Sequence, residues 1–179
     1  MTDATVETLV RLLREKGAVA YFGEDVTVTE HQLQAAELAE LEGAPESLIV
    51  AALVHDIGWI LQLSATGQSW EPHEQLGADW LSGFLPPTVT EPVRLHVLAK
   101  RYLCSTRPVY YAELSEASRH TLVNQGGLLE NYEVSDFEAL AHSGGAVRLR
   151  IWDDLAKVPG AKTPGLDHYA PLLWKLSAG

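Results

Sequence analysis

The stretch Leu48-Ile49-Val50-Ala51-Ala52-Leu53-Val54-His55-Asp56-Ile57-Gly58 decides how this chain folds. Its seven leading residues are all apolar, so a helix here has no side suited to solvent and belongs at the buried centre of a domain. Pro45 is placed to start that helix, which the spacing runs over about 47–61. A histidine and an aspartate follow directly on the apolar run. A carboxylate at that depth is costly unless it is paired or holds a metal ion.

Helical periodicity continues on both sides. Val6, Leu9, Val10, Leu12 and Leu13 form an apolar stripe on a first helix that Gly17 ends. Residues 21–26, with Gly23 among them, read as a loop. Thr29 can cap a helix that carries His31, Leu33, Ala36 and Ala39 and stops at Gly43. A polar loop over 64–72 precedes helices predicted over 73–84, 89–104 and 115–125, the last ended by Gly126-Gly127. Ser135-Asp136-Phe137-Glu138 has the form of a capping box. A helix over 146–157 carries Arg148, Arg150, Trp152 and Asp153, residues 159–165 read as loop, and a short helix is expected near Trp174. There is no repeat, no low-complexity stretch and no strand-like alternation. The expectation is an all-α fold, one domain over residues 1–179, packed around the 47–61 helix.

The chain has 179 residues, enough for a substantial core, with 46% hydrophobic and 21% charged residues, as in ordinary globular proteins. A formal net charge of -11 repels polyanions, so nucleic acid is not an expected partner. A small anion remains acceptable where cations line its pocket. With Cys104 the single cysteine, neither a disulfide framework nor a thiolate metal cage can form. The first residues lack a signal-peptide pattern, and no apolar run approaches the roughly 20 residues of a membrane span. A cytoplasmic protein is expected.

Four of the seven histidines fall into one pattern with two aspartates: His31, His55-Asp56, His73, His96 and Asp153. Imidazole suits borderline divalent metals, and carboxylates can bridge two of them. One metal seldom takes six protein ligands and keeps an open position, whereas two metals sharing a carboxylate would use about this many. The candidates lie on five predicted helices. Neighbours on a helix point about 100° apart, so His55 and Asp56 can reach one cluster only at a helix end. Taken singly, His73 or His96 reads as a core or surface residue.

The order His31, His55-Asp56, Asp153 resembles the HD-domain superfamily, helical metalloproteins that are mostly phosphohydrolases; His73 and His96 match its two-metal members. Further blocks narrow the resemblance to the mixed-valent diiron oxygenases of organophosphonate degradation. They are Tyr21-Phe22-Gly23-Glu24, His55-Asp56-Ile57-Gly58, and His73-Glu74-x-x-Gly77-Ala78-x-Trp80-Leu81. Later come His96-x-x-Ala99-Lys100-Arg101-Tyr102-Leu103, Leu114-Ser115-x-x-Ser118, Gln125-Gly126-Gly127, and Arg148-Leu149-Arg150-x-Trp152-Asp153-Asp154-x-Ala156-Lys157. The likeness covers most of the chain, from about Tyr21 to Lys157. The blocks are specific together and not singly.

That resemblance implies an HD-domain helical bundle with one iron held by His31, His55, Asp56 and Asp153. It implies a second iron held by His73 and His96, with Asp56 bridging. The implied chemistry uses a mixed-valent Fe2+/Fe3+ pair and O2 as co-substrate. It cleaves the C–P bond of a small 1-hydroxy-2-aminoethylphosphonate-type compound, releasing phosphate and glycine, or glycine betaine when the amine is trimethylated. Tyr21, Glu24 and Lys100 take catalytic roles in it: Tyr21 gates the metal, Glu24 meets the substrate amine, and Lys100 lies one helical turn after His96. Arg150, three residues before Asp153, and Ser118, Thr121 and Gln125, along one helix side, would complete a site for a phosphonate dianion. Apart from the resemblance, Lys100 and Arg150 read as solvated charge, and Ser118 and Thr121 as helix polarity. Trp59 stands where the resembled family often has histidine. Its π face suits a quaternary ammonium and so a trimethylated amine; it also reads as core packing. Two other functions compete: a metal-dependent phosphohydrolase using a metal-bound water on a phosphate ester or nucleotide, and an HD domain that only binds. The full ligand set argues against the second. Ligand types alone also suit Mn, Zn or Co.

Overall fold

Leu48 to Val54 are helical and all seven side chains are buried, in a computed structural model that describes residues 2–21, 23–64 and 72–177. Burial of the five larger ones contributes about 1.5–3 kcal/mol each. Phe22 and most of the predicted polar loop, residues 65–71, lie outside the described residues. Among the described residues there are eleven helices: α1 (Thr2–Lys16), α2 (Val28–Leu41), α3 (Glu46–Val54), α4 (Ile57–Ser64), α5 (His73–Leu81), α6 (Pro87–Thr106), α7 (Pro108–Glu113), α8 (Glu116–Asn124), α9 (Asn131–Glu138), α10 (Ser143–Leu155) and α11 (Leu166–Ser177). The only extended pairing among them is an isolated bridge, Ala20 to Thr27, which closes the loop holding Tyr21, Gly23 and Glu24. The fold is all-α. Helix α3 packs against α2, α6, α10 and α11, and α5 sits between α4 and α6.

The predicted 47–61 helix is two helices. α3 ends at Val54, α4 begins at Ile57, and both His55 and Asp56 stay buried in the turn between them. The break is what lets two adjacent side chains aim at one point. By length and composition 46–63 would suit a membrane span, yet 67% of it is buried inside the fold, as expected of a core element. Two glycines bring α4 and α5 into backbone contact. A Cβ on Gly58 would lie 1.9 Å from the His73 carbonyl oxygen, and one on Gly77 would lie 3.1 Å from the Gly58 nitrogen.

The caps differ from expectation. Thr27, not Thr29, caps α2, because Thr27 and Glu30 form a reciprocal capping box while the Thr29 hydroxyl donates to the Leu13 carbonyl at 2.7 Å. The box before α9 is Glu130 with Glu133, so Ser135 lies inside the helix and its hydroxyl donates back to the Asn131 carbonyl. Helix α7, opened by Pro108, had no sequence signal of its own. Helix α11 runs twelve residues, longer than expected, because Tyr169 and Leu173 bury against the main core.

Candidate metal centre and its pocket

His31 comes from α2, His55 and Asp56 from the α3–α4 turn, His73 from the first residue of α5, His96 from α6 and Asp153 from α10. All six side chains are buried and converge. Each of three imidazoles gives its Nδ1 to a backbone carbonyl: His31 to Ala156 at 2.8 Å, His55 to Ala52 at 2.8 Å and His96 to Val93 at 2.7 Å. His73 Nδ1 lies 3.1 Å from the Glu74 carboxylate. Nδ1 therefore carries the proton in His31, His55 and His96, and the Nε2 of each turns a lone pair inward.

Those lone pairs face one another. His31 Nε2 is 3.1 Å from His55 Nε2, and His73 Nε2 is 3.2 Å from His96 Nε2. Asp56 stands between the two pairs. Its Oδ2 is 3.4 Å from His55 Nε2 and its Oδ1 is 3.2 Å from His73 Nε2. Asp153 Oδ1 is 3.3 Å from His31 Nε2. Neither Asp56 Oδ2 nor Asp153 Oδ1 has a hydrogen-bond donor, although both are buried.

Acceptor atoms crowded together with so few donors repel one another, and cations relieve that repulsion. Ligands about 2.1 Å from a common ion lie about 3 Å apart when adjacent, close to the separations here. Two overlapping triads meet this condition, His31/His55/Asp56 and Asp56/His73/His96. The donor set thus fits two metal ions that share Asp56. Burial, with the neighbouring imidazoles, lowers His96 to about 3, and burial also lowers His55, so both rings stay neutral. Burial opposes ionisation of Asp153, but Arg150 above all holds its carboxyl well below the usual range. The Asp56 carboxyl is lowered as well, although its burial opposes ionisation.

The cluster forms the floor of a pocket of about 100 Å³ whose walls include Tyr21, Glu24, Trp59, Lys100, Ser118, Thr121, Gln125 and Arg150. Lys100 is buried and donates to Thr121 Oγ1 at 2.7 Å and Gln125 Oε1 at 3.0 Å. Burial, then the charge of Arg150, lowers its ammonium to about 8. Tyr21 stacks on His31 with ring centres 4.1 Å apart, and its hydroxyl donates to Asp56. Trp59 stacks on His73 at 4.4 Å. The Glu24 carboxylate accepts from Ser115 Oγ at 2.8 Å and lies 3.9 Å from Lys157 Nζ. Arg150 reaches the pocket wall, but its guanidinium is engaged by Asp153 at 2.7 Å and by both oxygens of Asp154.

No family model matches the chain. It is 40% identical, over 96% of its own length and 89% of the relative's, to the 1-hydroxy-2-(trimethylamino)ethylphosphonate dioxygenase (glycine-betaine-forming) of Leisingera caerulea. It is 44% identical, over 92% of itself and 84% of the relative, to the hydroxymethylphosphonate dioxygenase of Gimesia maris. The chain belongs to the phosphonate dioxygenase family. An uncharacterised protein of Acanthamoeba polyphaga mimivirus is 34% identical over 94% of the chain. Membership makes the protein an oxygenase of phosphonate catabolism, and the acceptor cluster could hold a metal.

Sequence reasoning missed three neighbours of the dioxygenase pocket. Lys157 lies one turn after Asp153, the same signal that drew attention to Lys100 after His96, and it donates to Ser118 Oγ at 3.0 Å. Asp154 sits four residues after Arg150 and shares its guanidinium, a helical ion pair legible from spacing. Tyr110 donates to Asp154 from α7, whose existence the sequence did not announce.

Proposed function

We propose that this phosphonate dioxygenase is a cytoplasmic HD-domain enzyme that uses two iron ions and O2 to cleave the C–P bond of a small 1-hydroxyphosphonate. His31, His55, Asp56 and Asp153 would hold one iron and His73 and His96 the other, with Asp56 bridging. The observation that carries this reading is the pair of buried triads joined at Asp56, whose Oδ2 has no hydrogen-bond donor, opening on the Lys100 ammonium. Bound iron supplies the redox and Lewis-acid chemistry that side chains lack.

The chain's own residues do the rest. Lys100, backed by Thr121 and Gln125, holds phosphonate oxygens together with Ser118, by charge-assisted hydrogen bonds. Arg150 keeps Asp153 ionised and oriented. Tyr21 covers the Asp56 side of the metal floor and moves aside for substrate. Glu24 and the Trp59 face receive an amine where the substrate carries one. The balanced reaction joins R–CH(OH)–PO3(2−) and O2 to give R–COO(−), phosphate and a proton. The C–P and C–H bonds of the carbinol carbon each give up two electrons, and these four reduce O2, one of whose oxygens ends in each product.

Candidate substrates are hydroxymethylphosphonate and 1-hydroxy-2-(trimethylamino)ethylphosphonate, named for the relatives, and the primary-amine analogue. The test loads apo-protein with Fe2+ anaerobically, admits O2 with each compound, and follows phosphate release, O2 uptake and the mixed-valent EPR signal. O2-dependent phosphate from at least one compound supports the reading. Anaerobic hydrolysis of simple phosphate esters with Mn2+ or Mg2+, and no O2 uptake with any phosphonate, would replace it with a phosphohydrolase.

A further inference from the structure

His73 is held differently from the other imidazoles. His55 and His96 each give Nδ1 to the carbonyl three residues earlier, Ala52 and Val93, and His31 gives it to the carbonyl of Ala156, which ends α10. Those acceptors are neutral. His73 opens α5, after Pro72, so no helical carbonyl lies three residues behind it. Its Nδ1 instead meets the Glu74 carboxylate at 3.1 Å, and the Glu74 side chain is only 14% exposed. Trp59 covers one face of the same ring, and Gly58 packs on its backbone carbonyl.

We propose that Glu74 is a positioning residue that fixes the proton of His73 on Nδ1, aims Nε2 inward and makes this imidazole a stronger donor than its three counterparts. The inference rests on the two-metal reading above. A carboxylate behind a ligating histidine raises its basicity and orients it, and losing such a partner weakens metal binding about 10–100-fold. The effect is local: Glu74 would set the affinity of the His73/His96 position and leave the His31/His55/Asp153 position alone. Glu74 also lies in the first turn of α5, where a negative charge favours the helix itself. That bland role predicts a lower Tm and no selective change in metal uptake.

The experiment titrates the full-length apo-protein with Co2+, following absorbance and bound metal per chain, for wild type, Glu74→Ala and Glu74→Gln, with apo Tm recorded for each. The expected result is two ions for wild type. Glu74→Ala should keep one tight ion and bind the second about 10–100-fold more weakly. Glu74→Gln, which keeps an acceptor without the charge, should fall between. The proposal is overturned if both variants take two ions with wild-type affinity, or if both ions weaken alike in step with a lowered apo Tm. Wild type binding a single ion would instead defeat the two-metal reading itself.

Discussion

Replacing Lys100 by methionine should stabilise the metal-free protein at pH 7 while lowering its turnover of phosphonates. Lys100 is 1% exposed, and burial, helped by the charge of Arg150, takes its ammonium from 10.5 to about 8. Asp153 and Asp154 pull the other way and Lys157 adds to the lowering. A drop of that size corresponds to about 3 kcal/mol held against the charged form. Its folded pKa lies below the unfolded one, so the cost is fully present below pH 8, fades from about 8 to 10.5, and vanishes above. Methionine fills the same space without a charge. If a third to a half of the cost is recovered, Tm of the metal-free protein at pH 7 rises by about 2–6 °C. Catalysis moves the other way. Charge-assisted bonds to a phosphonate are worth about 1.5–3 kcal/mol, so kcat/KM falls about 10–100-fold. In the wild type kcat/KM should decline above pH 8, about tenfold per unit, as the free enzyme loses this proton. Phosphate release across pH 6–10 and thermal melts of both apo-proteins measure the effects. A less stable Lys100→Met protein that keeps the alkaline decline would refute the reasoning, because some other group would then own the titration.

Arg150→Leu leaves buried Asp153 and half-buried Asp154 without their shared cation, which should cost about 3–5 kcal/mol and reduce bound metal, read by melting and metal analysis. Chelation of the purified metalloprotein should lower Tm, since Asp56 Oδ2 and Asp153 Oδ1 then lack any partner; identical melts with and without metal would contradict the acceptor cluster as a metal seat. Gly58→Ala pushes against the His73 carbonyl from 1.9 Å and should cost metal at the His73/His96 position before the other, visible as fewer ions per chain. Lys157→Met frees Glu24 of a cation 3.9 Å away, so it should raise kcat/KM for the trimethylated compound relative to hydroxymethylphosphonate about fivefold, the worth of one partly exposed ion pair; an unchanged ratio would separate Glu24 from amine recognition.

The buried centre was legible because seven apolar residues admit a single placement, and no alternative helix face competes for them. Boundaries were less legible because a hydroxyl next to a helix start can serve two ends. Thr27 and Thr29 are both fit to cap α2, and the choice was settled by the Leu13 carbonyl, a partner from another helix. Ser135 fails as a cap for the same kind of reason, since Glu130 and Glu133 already close the box one turn earlier. Helix α7 has six residues and no buried side chain, so it leaves no periodic trace.

The site divides along a similar line. Residue type alone marks the six acceptors, since neutral imidazoles and carboxylates are what a borderline metal takes. What each cation does depends on which carboxylate lies within reach in space. Arg150 and Lys100 look alike as charges one turn from a candidate ligand. Arg150 is consumed by Asp153 and Asp154, whereas Lys100 donates its hydrogen bonds to the uncharged Thr121 and Gln125. A guanidinium whose bonds are spent on two carboxylates stays charged at any pH the fold survives, and burial alone cannot neutralise it. An ammonium facing neutral acceptors keeps its charge only at a cost, and that cost is what a bound dianion would remove. On the proposed reading, that difference would make Lys100 the group through which an acidic protein of net charge -11 gains from binding an anion, and Arg150 the group that holds Asp153 in place beneath it.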